Sequence, residues 1–321
     1  MNYKKLGHTG LRVSELCLGT MTFQWTTDEK SSLEVLTAFA EAGGTFIDTA
    51  DIYSRWAPGN PGGTAETIIG KWLRDGRPRD KFVIATKGRG PMGDGPNEQG
   101  ASRGHLVKAV EDSLRRLNTD YIDLYQIHWH DPDTPLEETL RALDDMVSAG
   151  KIRYIGTSNT PAWVLMKSLW VSDVRNFVRF ETIQPHYNLM HRDEFERELM
   201  PMCQSEGLGV IPYSPLAGGF LSGKYRRGEG VPANTRGERN ERIQSYMDSD
   251  AGMRVLDALE HIGAAHGKSI PQTALAWLMG NPVVTAPIVG ANTAEQLKDA
   301  LGAVDYHLSA DEMQTLNEAS A

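Results

Sequence analysis

Four side chains capable of acid–base work stand at or just beyond the ends of β-like runs. Asp48 closes the run 45–48, Lys87 closes 81–87, His128 closes 121–128, and Tyr53 lies five residues past Asp48. Each type also has ordinary uses, since an Asp after a strand caps a helix and a Tyr or His packs a core. Their joint occurrence at three neighbouring strand ends is what points to chemistry. A phenol, with a pKa of about 10, is a poor acid near neutrality. A lysine ammonium beside it favours the phenolate and lowers that pKa. An aspartate holds the lysine charged and oriented, and a histidine next to the phenol donates a hydrogen bond to a carbonyl oxygen. Asp48–Lys87–Tyr53 therefore reads as a proton-donor relay, with His128 as the orienting group. The same lysine also admits a Schiff-base aldolase reading. Asp48 weighs against it, because a charged lysine is a poor nucleophile.

Other run ends are richer in hydrogen-bonding groups than a core requires: Gly156-Thr-Ser158-Asn159, Gln184-Pro-His-Tyr187 and Tyr213-Ser-Pro-Leu216. An amide-bearing ring such as nicotinamide needs a donor and an acceptor in one plane and an aromatic face. Ser158, Asn159 and Gln184 supply the first and Tyr213 the second. Three further motifs compete. Gly88-Arg-Gly90-Pro-Met-Gly93 matches a dinucleotide glycine pattern, but Pro91 and the Asp-Gly-Pro that follows cannot open a helix there. Gly218-Gly-Phe-Leu-Ser-Gly223-Lys224 approaches a P-loop, but Tyr225 stands where the magnesium-binding Ser or Thr belongs, so an ATPase is rejected. Its glycine amides and Lys224 still suit a pyrophosphate, as does the helix opening after Gly290-Ala-Asn292-Thr-Ala-Glu-Gln296. His128-Trp-His130-Asp131, with Asp48 and Asp51, hints at a metal, but His130 falls beyond the strand and no third histidine is placed. No metal is expected.

These groups need a scaffold that aims several strand ends at one point. Eight short apolar runs (15–19, 45–48, 81–87, 121–128, 152–158, 180–184, 208–213 and 284–290) alternate with helix-period segments such as 30–42, 64–75, 103–117, 136–149 and 192–205. That alternation predicts parallel strands with crossover helices, and eight units close into a (β/α)8 TIM barrel. An open doubly wound sheet is the alternative. Gly43-Gly44, Gly150 and Gly207 fall just past predicted helices, and Ser309-Ala-Asp-Glu312 reads as a capping box. Segments 3–6 and 11–13 around Gly7-His8-Thr9-Gly10 predict an N-terminal β-hairpin lidding the barrel bottom. A long glycine- and arginine-rich loop is expected after strand seven, from 214 to about 250. No linker divides the chain, so residues 1–321 read as a single barrel domain.

Composition narrows the function classes. The 321 residues are 40% hydrophobic and carry 33 Lys and Arg against 42 Asp and Glu, a formal charge of -9. An acidic chain is a poor partner for nucleic acid. Two distant cysteines make no disulfide framework, and Cys17 reads as a small buried hydrophobe. With no leader-like start and no apolar stretch long enough to span a bilayer, the expectation is a cytoplasmic protein with no membrane partner. Its oligomeric state is not readable.

The residues together resemble the aldo-keto reductases over almost the whole length. The nearest likeness is to the bacterial branch that also resembles potassium-channel β subunits. The carrying motifs are Tyr3-Lys-Lys-Leu-Gly-His-Thr-Gly-Leu-Arg-Val-Ser14, Phe46-Ile-Asp48-Thr-Ala-Asp51-Ile-Tyr53, Ala85-Thr-Lys87-Gly88, Asp123-Leu-Tyr-Gln-Ile-His128, Gly156-Thr-Ser158-Asn159, Gln184-Pro-His-Tyr187-Asn188, Tyr213-Ser-Pro-Leu216 and Gly290-Ala-Asn292-Thr-Ala-Glu-Gln296. The resemblance implies an NADP(H)-dependent oxidoreductase reducing aldehydes or ketones, a small-molecule carbonyl substrate, and a catalytic tetrad of Asp48, Tyr53, Lys87 and His128 with Tyr53 as proton donor. It implies nicotinamide contacts at Ser158, Asn159, Gln184 and Tyr213, and a pyrophosphate loop at Ser214, Leu216, Gly218 and Lys224. Adenosine contacts map to Arg236, Gly290, Asn292, Gln296 and Asp299, and further cofactor contacts to Gly19, Thr20, Met21 and Asp48. Asn292 departs from relatives that hold the 2′-phosphate with Arg or Lys there, and Lys224 and Arg236 are the alternative cations. A catalytically weak cofactor-binding subunit is the other reading of the resemblance. In the channel-subunit branch the histidine is often replaced, so the presence of His128 favours an active reductase.

Overall fold

The structure is a computed structural model that describes residues 1–226, 228–232, 236–238 and 240–321, with only the backbone of Arg236. Strands β3 (Cys17–Gly19), β4 (Phe46–Asp48), β5 (Val83–Gly88), β6 (Ile122–Ile127), β7 (Ile152–Ser158), β8 (Phe180–Gln184), β9 (Gly209–Val210) and β10 (Ile288–Gly290) form one parallel sheet in the order β10-β3-β4-β5-β6-β7-β8-β9. Its two edges meet. Val210 O accepts from Thr285 N–H at 2.8 Å, and Pro212 O accepts from Ile288 N–H at 2.9 Å. These bonds close the sheet into a cylinder, and the open-sheet alternative is excluded.

Helices α1 (Glu29–Glu41), α2 (Thr64–Arg74), α3 (Arg103–Leu117), α4 (Leu136–Ser148) and α5 (Ala162–Arg175) follow β3 to β7 in turn. After β8 a π-turn, Phe195–Leu199, runs into α6 (Met200–Glu206). Pro201 lacks the N–H that an α-turn would use there, which accounts for the wider turn. The expected long loop after β9 contains a 3-10 turn (Ala217–Ser222) and α7 (Glu241–Asp248), followed by α8 (Asp250–His266) and α9 (Ile270–Gly280). After β10 come α10 (Ala294–Leu301) and α11 (Ala310–Ala319), the last lying against α8 and α9. Ser309 and Glu312 make the capping box expected for α11, and Ser269 with Gln272 makes a second one opening α9. Gly43, Gly150 and Gly207 all adopt the positive φ expected of them.

The core has two layers, as strand periodicity requires. Cys17, Phe46, Val83, Ala85, Leu124, Ile211, Ala286 and Ile288 fill the cylinder's interior with Leu6 and Val13. A larger cluster, including Ile47, Ile84, Tyr125, Ile155 and Ile183, packs the strands against the helices. Leu6 and Val13 come from the hairpin of β1 (Tyr3–Lys5) and β2 (Arg12–Ser14), which plugs the lower end. Gly7 at its turn has φ +55°, and a Cβ there would lie 2.4 Å from Glu181 O, so only glycine lets the plug seat this closely. Cys17 belongs to the interior layer and is fully buried.

Two strands are shorter than the sequence predicts. The run 208–213 pairs regularly only over Gly209–Val210, and the run 284–290 only over Ile288–Gly290. Pro212 and Pro287 interrupt them by removing ladder donors, although their carbonyls still accept. Among the described residues, no helix is long and apolar enough to cross a membrane.

Candidate active site

The interior face of each strand continues upward into the site. Residues two apart share a face, so Phe46 leads to Asp48, Ala85 to Lys87 and Leu124 to Gln126 and then His128. Lys87 is fully buried, and its Nζ donates to Asp48 Oδ2 at 2.6 Å, to Thr49 O at 2.9 Å and to Tyr53 OH at 2.8 Å. Tyr53 OH also lies 3.4 Å from Asp48 Oδ2. The other carboxylate oxygen, Oδ1, accepts from Gln184 Nε2 at 2.9 Å and Gln126 Nε2 at 3.2 Å. Asp48 is thus fixed from both sides, and its charge has a partner on each oxygen.

Electrostatics corrects one expectation. The phenol of Tyr53 is pushed up to about 12 rather than down. Burial is the largest cause; Lys87 pulls the other way, and Asp48 adds to the rise. The phenol is therefore a neutral O–H donor at physiological pH, the form a proton donor must have before reaction. Burial lowers the Lys87 pKa, but the Asp48 charge and the hydrogen bonds to Asp48 and the Tyr53 oxygen outweigh it, and the result lies above that of an ordinary lysine. An ammonium so held is no Schiff-base nucleophile.

His128 follows β6, its N–H bonded to Gly88 O at 3.0 Å, and its ring meets Tyr53 edge to face with centroids 6.0 Å apart. Burial first, then the charges of Lys87 and Arg89, hold its imidazole well below the usual histidine pKa. A neutral ring with one N–H suits a donor to a carbonyl oxygen. Its buried Nδ1 has no hydrogen-bond partner among the described residues.

A second group forms on β7, β8 and the turn after β9. Ser158 Oγ donates to Gln184 O at 2.8 Å, Asn159 Nδ2 to His128 O at 3.1 Å and to Ser158 Oγ at 3.0 Å, and Tyr213 OH to Asn159 Oδ1 at 2.9 Å. The Tyr213 ring stacks on His186 at 5.1 Å, and His186 stacks on His191 at 4.1 Å. Beyond Tyr213, Ser214 Oγ accepts from Gly218 N–H at 3.1 Å, and Leu216 O accepts from Gly219 N–H at 2.9 Å. Gly218 and Gly219 have φ +70° and +106°, a concave turn that β-carbons would strain. Lys224 follows on the exposed side.

The remaining expected contacts are more dispersed. Gly19 ends β3 beside Asp48, Thr20 Oγ donates to Asp48 O at 3.0 Å, and Met21 is exposed. Gly290 ends β10. Asn292 accepts through Oδ1 from Thr26 and Thr27 at 3.1 and 2.8 Å, and its N–H donates to Gln296 Oε1 at 2.9 Å. Asn292 thus ties the loop after β3 to the start of α10. Asp299 accepts from Ser269 and Gln272 at the start of α9. The side chain of Arg236 lies outside the described residues.

Gln126 and the His186–His191 stack were not anticipated. Strand alternation two residues before His128 carried the signal for Gln126; nothing local in sequence signals the ring stack. Asp51, weighed beside Asp48 as a metal ligand, is raised well above the usual carboxylate range by burial and then by Glu66. Glu66 is itself paired with Arg116 at 2.6 Å. Among the described residues no group of three or more His, Cys, Asp or Glu side chains is placed to hold a metal ion. The glycine run 88–93 passes through an irregular loop and opens no helix.

At the mouth, Trp56 meets Tyr53 at 6.3 Å and Trp25 at 5.6 Å, both edge to face, with Trp25 and Trp56 42% and 47% exposed. Trp129 packs between His128, at 4.8 Å, and the Arg89 guanidinium, at 4.9 Å.

Comparison with known proteins follows the same lines. The model of the aldo/keto reductase family matches residues 15–321. An uncharacterized oxidoreductase, YrpG, of Bacillus subtilis is 40% identical, over 99% of this chain and 95% of its own length. A probable voltage-gated potassium channel subunit beta of Oryza sativa is 37% identical, over 95% and 92%. The versiconal hemiacetal acetate reductase of Aspergillus parasiticus is 34% identical, over 99% and 96%.

Proposed function

The chain is an oxidoreductase of the aldo/keto reductase family, and we propose that it reduces aldehydes or ketones with an apolar, planar body to alcohols, using NADP(H) and Tyr53 as the proton donor. The observation that carries this reading is the buried ammonium of Lys87, bonded at once to Asp48 and to the Tyr53 hydroxyl. The side chains present fit a nicotinamide dinucleotide. Ser158, Asn159 and Gln184 offer amide-pairing groups, Tyr213 an aromatic face, and the Gly218–Gly219 turn a seat for the pyrophosphate. When bound, the reduced cofactor supplies a hydride to the carbonyl carbon.

The chain's own residues do the rest. His128 donates its single N–H to the carbonyl oxygen and orients it toward Tyr53. Tyr53 gives its proton to that oxygen as charge develops there, and Lys87 stabilises the phenolate left behind. Asp48, held by Gln126 and Gln184, keeps Lys87 charged and aimed. Trp25 and Trp56 wall the approach to Tyr53 and favour planar apolar substrates. The relative named for reduction of versiconal hemiacetal acetate supports the reductase direction. Lys224 supplies the cation for the 2′-phosphate that Asn292 cannot provide.

The test is a consumption assay with NADPH and NADH against a panel of aromatic and short aliphatic aldehydes and ketones. NADPH consumption fastest with aromatic carbonyls supports the reading. Tight NADPH binding without consumption across the panel refutes the enzyme and favours a cofactor-binding subunit.

A further inference from the structure

Helix α5 is unusual among the outer helices. Its inner side buries Val164, Leu165, Ser168, Leu169 and Ser172 against the barrel, as an amphipathic helix should. Its outer side is apolar as well. Trp163, Met166, Trp170 and Val174 are 66%, 41%, 61% and 55% exposed. Spaced by three and four residues, they form one stripe along the helix. Half of the eight large hydrophobics exposed among the described residues lie on this one helix; Met21, Trp25 and Trp56 cluster at the active-site mouth, and Tyr3 stands alone. Single exposed apolar side chains need no explanation, but a contiguous row containing two tryptophans does.

We infer that the outer face of α5 is a homodimer interface that pairs with the same face of a second copy of this chain. Two arguments select a second copy. The first is area. With aromatic side chains of about 150–250 Å² each, the two indoles, Met166 and Val174 present roughly 500 Å² of apolar surface. A stable interface needs about 800 Å² per partner with an apolar core and a polar rim, so the stripe supplies most of such a core. Lys167, Asp173 and Arg175, all exposed on the same helix, supply a rim.

The second argument is self-complementarity, which a two-fold interface demands. Packed antiparallel about its middle, the stripe sets Trp163 against the second copy's Val174 and Trp170 against the second copy's Met166. Each indole then faces a smaller side chain, the large-into-small alternation that fills a dry interface. No candidate site residue lies on α5, so dimerisation and carbonyl reduction are separable.

The experiment is sedimentation or light-scattering mass measurement on the full chain at micromolar concentration, for the wild type and for Trp163→Glu and Trp170→Glu. The wild type is expected at twice the chain mass or a higher even multiple. Each variant is expected at half the wild-type mass or less, with an unchanged far-ultraviolet circular dichroism spectrum. A wild type at single-chain mass throughout the range overturns the inference. So does a folded variant that retains the wild-type mass. Should either tryptophan variant fail to fold, the pair Met166→Glu and Val174→Glu probes the same stripe through smaller side chains, with the same two readings.

Discussion

Replacing Lys87 by Met removes one charge from the centre of the site while keeping an unbranched apolar stem of similar length. The ammonium it removes is fully buried, 2.6 Å from Asp48 and 2.8 Å from the Tyr53 hydroxyl. Two separate losses follow. Asp48, only 1% exposed, keeps only Gln126 and Gln184 as strong donors. Stripping one partner from such a pair costs about 3–5 kcal/mol of stability. The phenol, already at about 12 because of burial, loses the charge that opposes that rise. A hydrogen bond from a charged donor to a developing anion contributes about 1.5–3 kcal/mol, and loss of a preorganised donor at a water-excluded oxyanion costs about 10²–10³ in rate. The expected result is a kcat lower by about 10²–10³, with carbonyl KM and cofactor Kd little changed, because the lost interaction strengthens as negative charge develops on the Tyr53 oxygen and touches neither ligand in the ground state. Stopped-flow decay of the reduced-cofactor absorbance gives the rate, and urea unfolding gives the stability. The double variant Asp48→Asn with Lys87→Met leaves no orphan charge, so it should recover about 1–4 kcal/mol over Lys87→Met alone while remaining slow. Wild-type kcat in the single variant, or a double variant no more stable than the single, refutes the coupling between the three groups.

Three further outcomes follow from the same geometry. Gln126→Leu removes one donor to Asp48 Oδ1 without touching the substrate. It should lower kcat by roughly tenfold with carbonyl KM unchanged, whereas a purely structural role would lower the melting temperature and leave kcat alone. Lys224→Gln should raise the KM for NADPH by about tenfold or more and leave that for NADH nearly unchanged, since a charged phosphate contact is worth about 1.5–3 kcal/mol. His186, held at about 4 by burial and then by His191 and Arg242, has a folded pKa below its unfolded value. The unfolded chain therefore binds the extra proton first. This contribution to stability is complete above about pH 6.5 and is lost as pH falls toward 4. The difference in melting temperature between wild type and His186→Asn, followed across that window, should change in that direction; a flat difference contradicts it.

Much of this was legible in the sequence because parallel barrels have a strong grammar. Buried strands are short and apolar, each ends in a polar residue at the mouth, and helices of regular length separate them. Asp48, Lys87, His128, Ser158 and Gln184 were placed by that rule alone. What escaped depended on three dimensions. Gln126 sits one interior step below His128, and only the alternation of β6 distinguishes it from an ordinary strand polar residue. Strand ends at 213 and 284 were overdrawn, because apolar runs containing Pro212 and Pro287 look continuous in sequence but cannot keep a continuous ladder. The sign of the Tyr53 shift was also out of reach. Adjacent charge can be argued from spacing, but the burial that outweighs it depends on Trp56, His128 and the barrel wall closing round the ring. The outer face of α5 was invisible for the same reason, since its inner face is also apolar and only burial separates the two.

The central claim is that the Tyr53 hydroxyl delivers the proton. Its most direct measurement is a single-turnover reaction of Tyr53→Phe, loaded with NADPH and mixed with an aromatic aldehyde. Cofactor binding close to wild type and cofactor oxidation slowed by about 10²–10⁴ are expected. Oxidation at the wild-type rate, with the fold and the cofactor affinity intact, would contradict it.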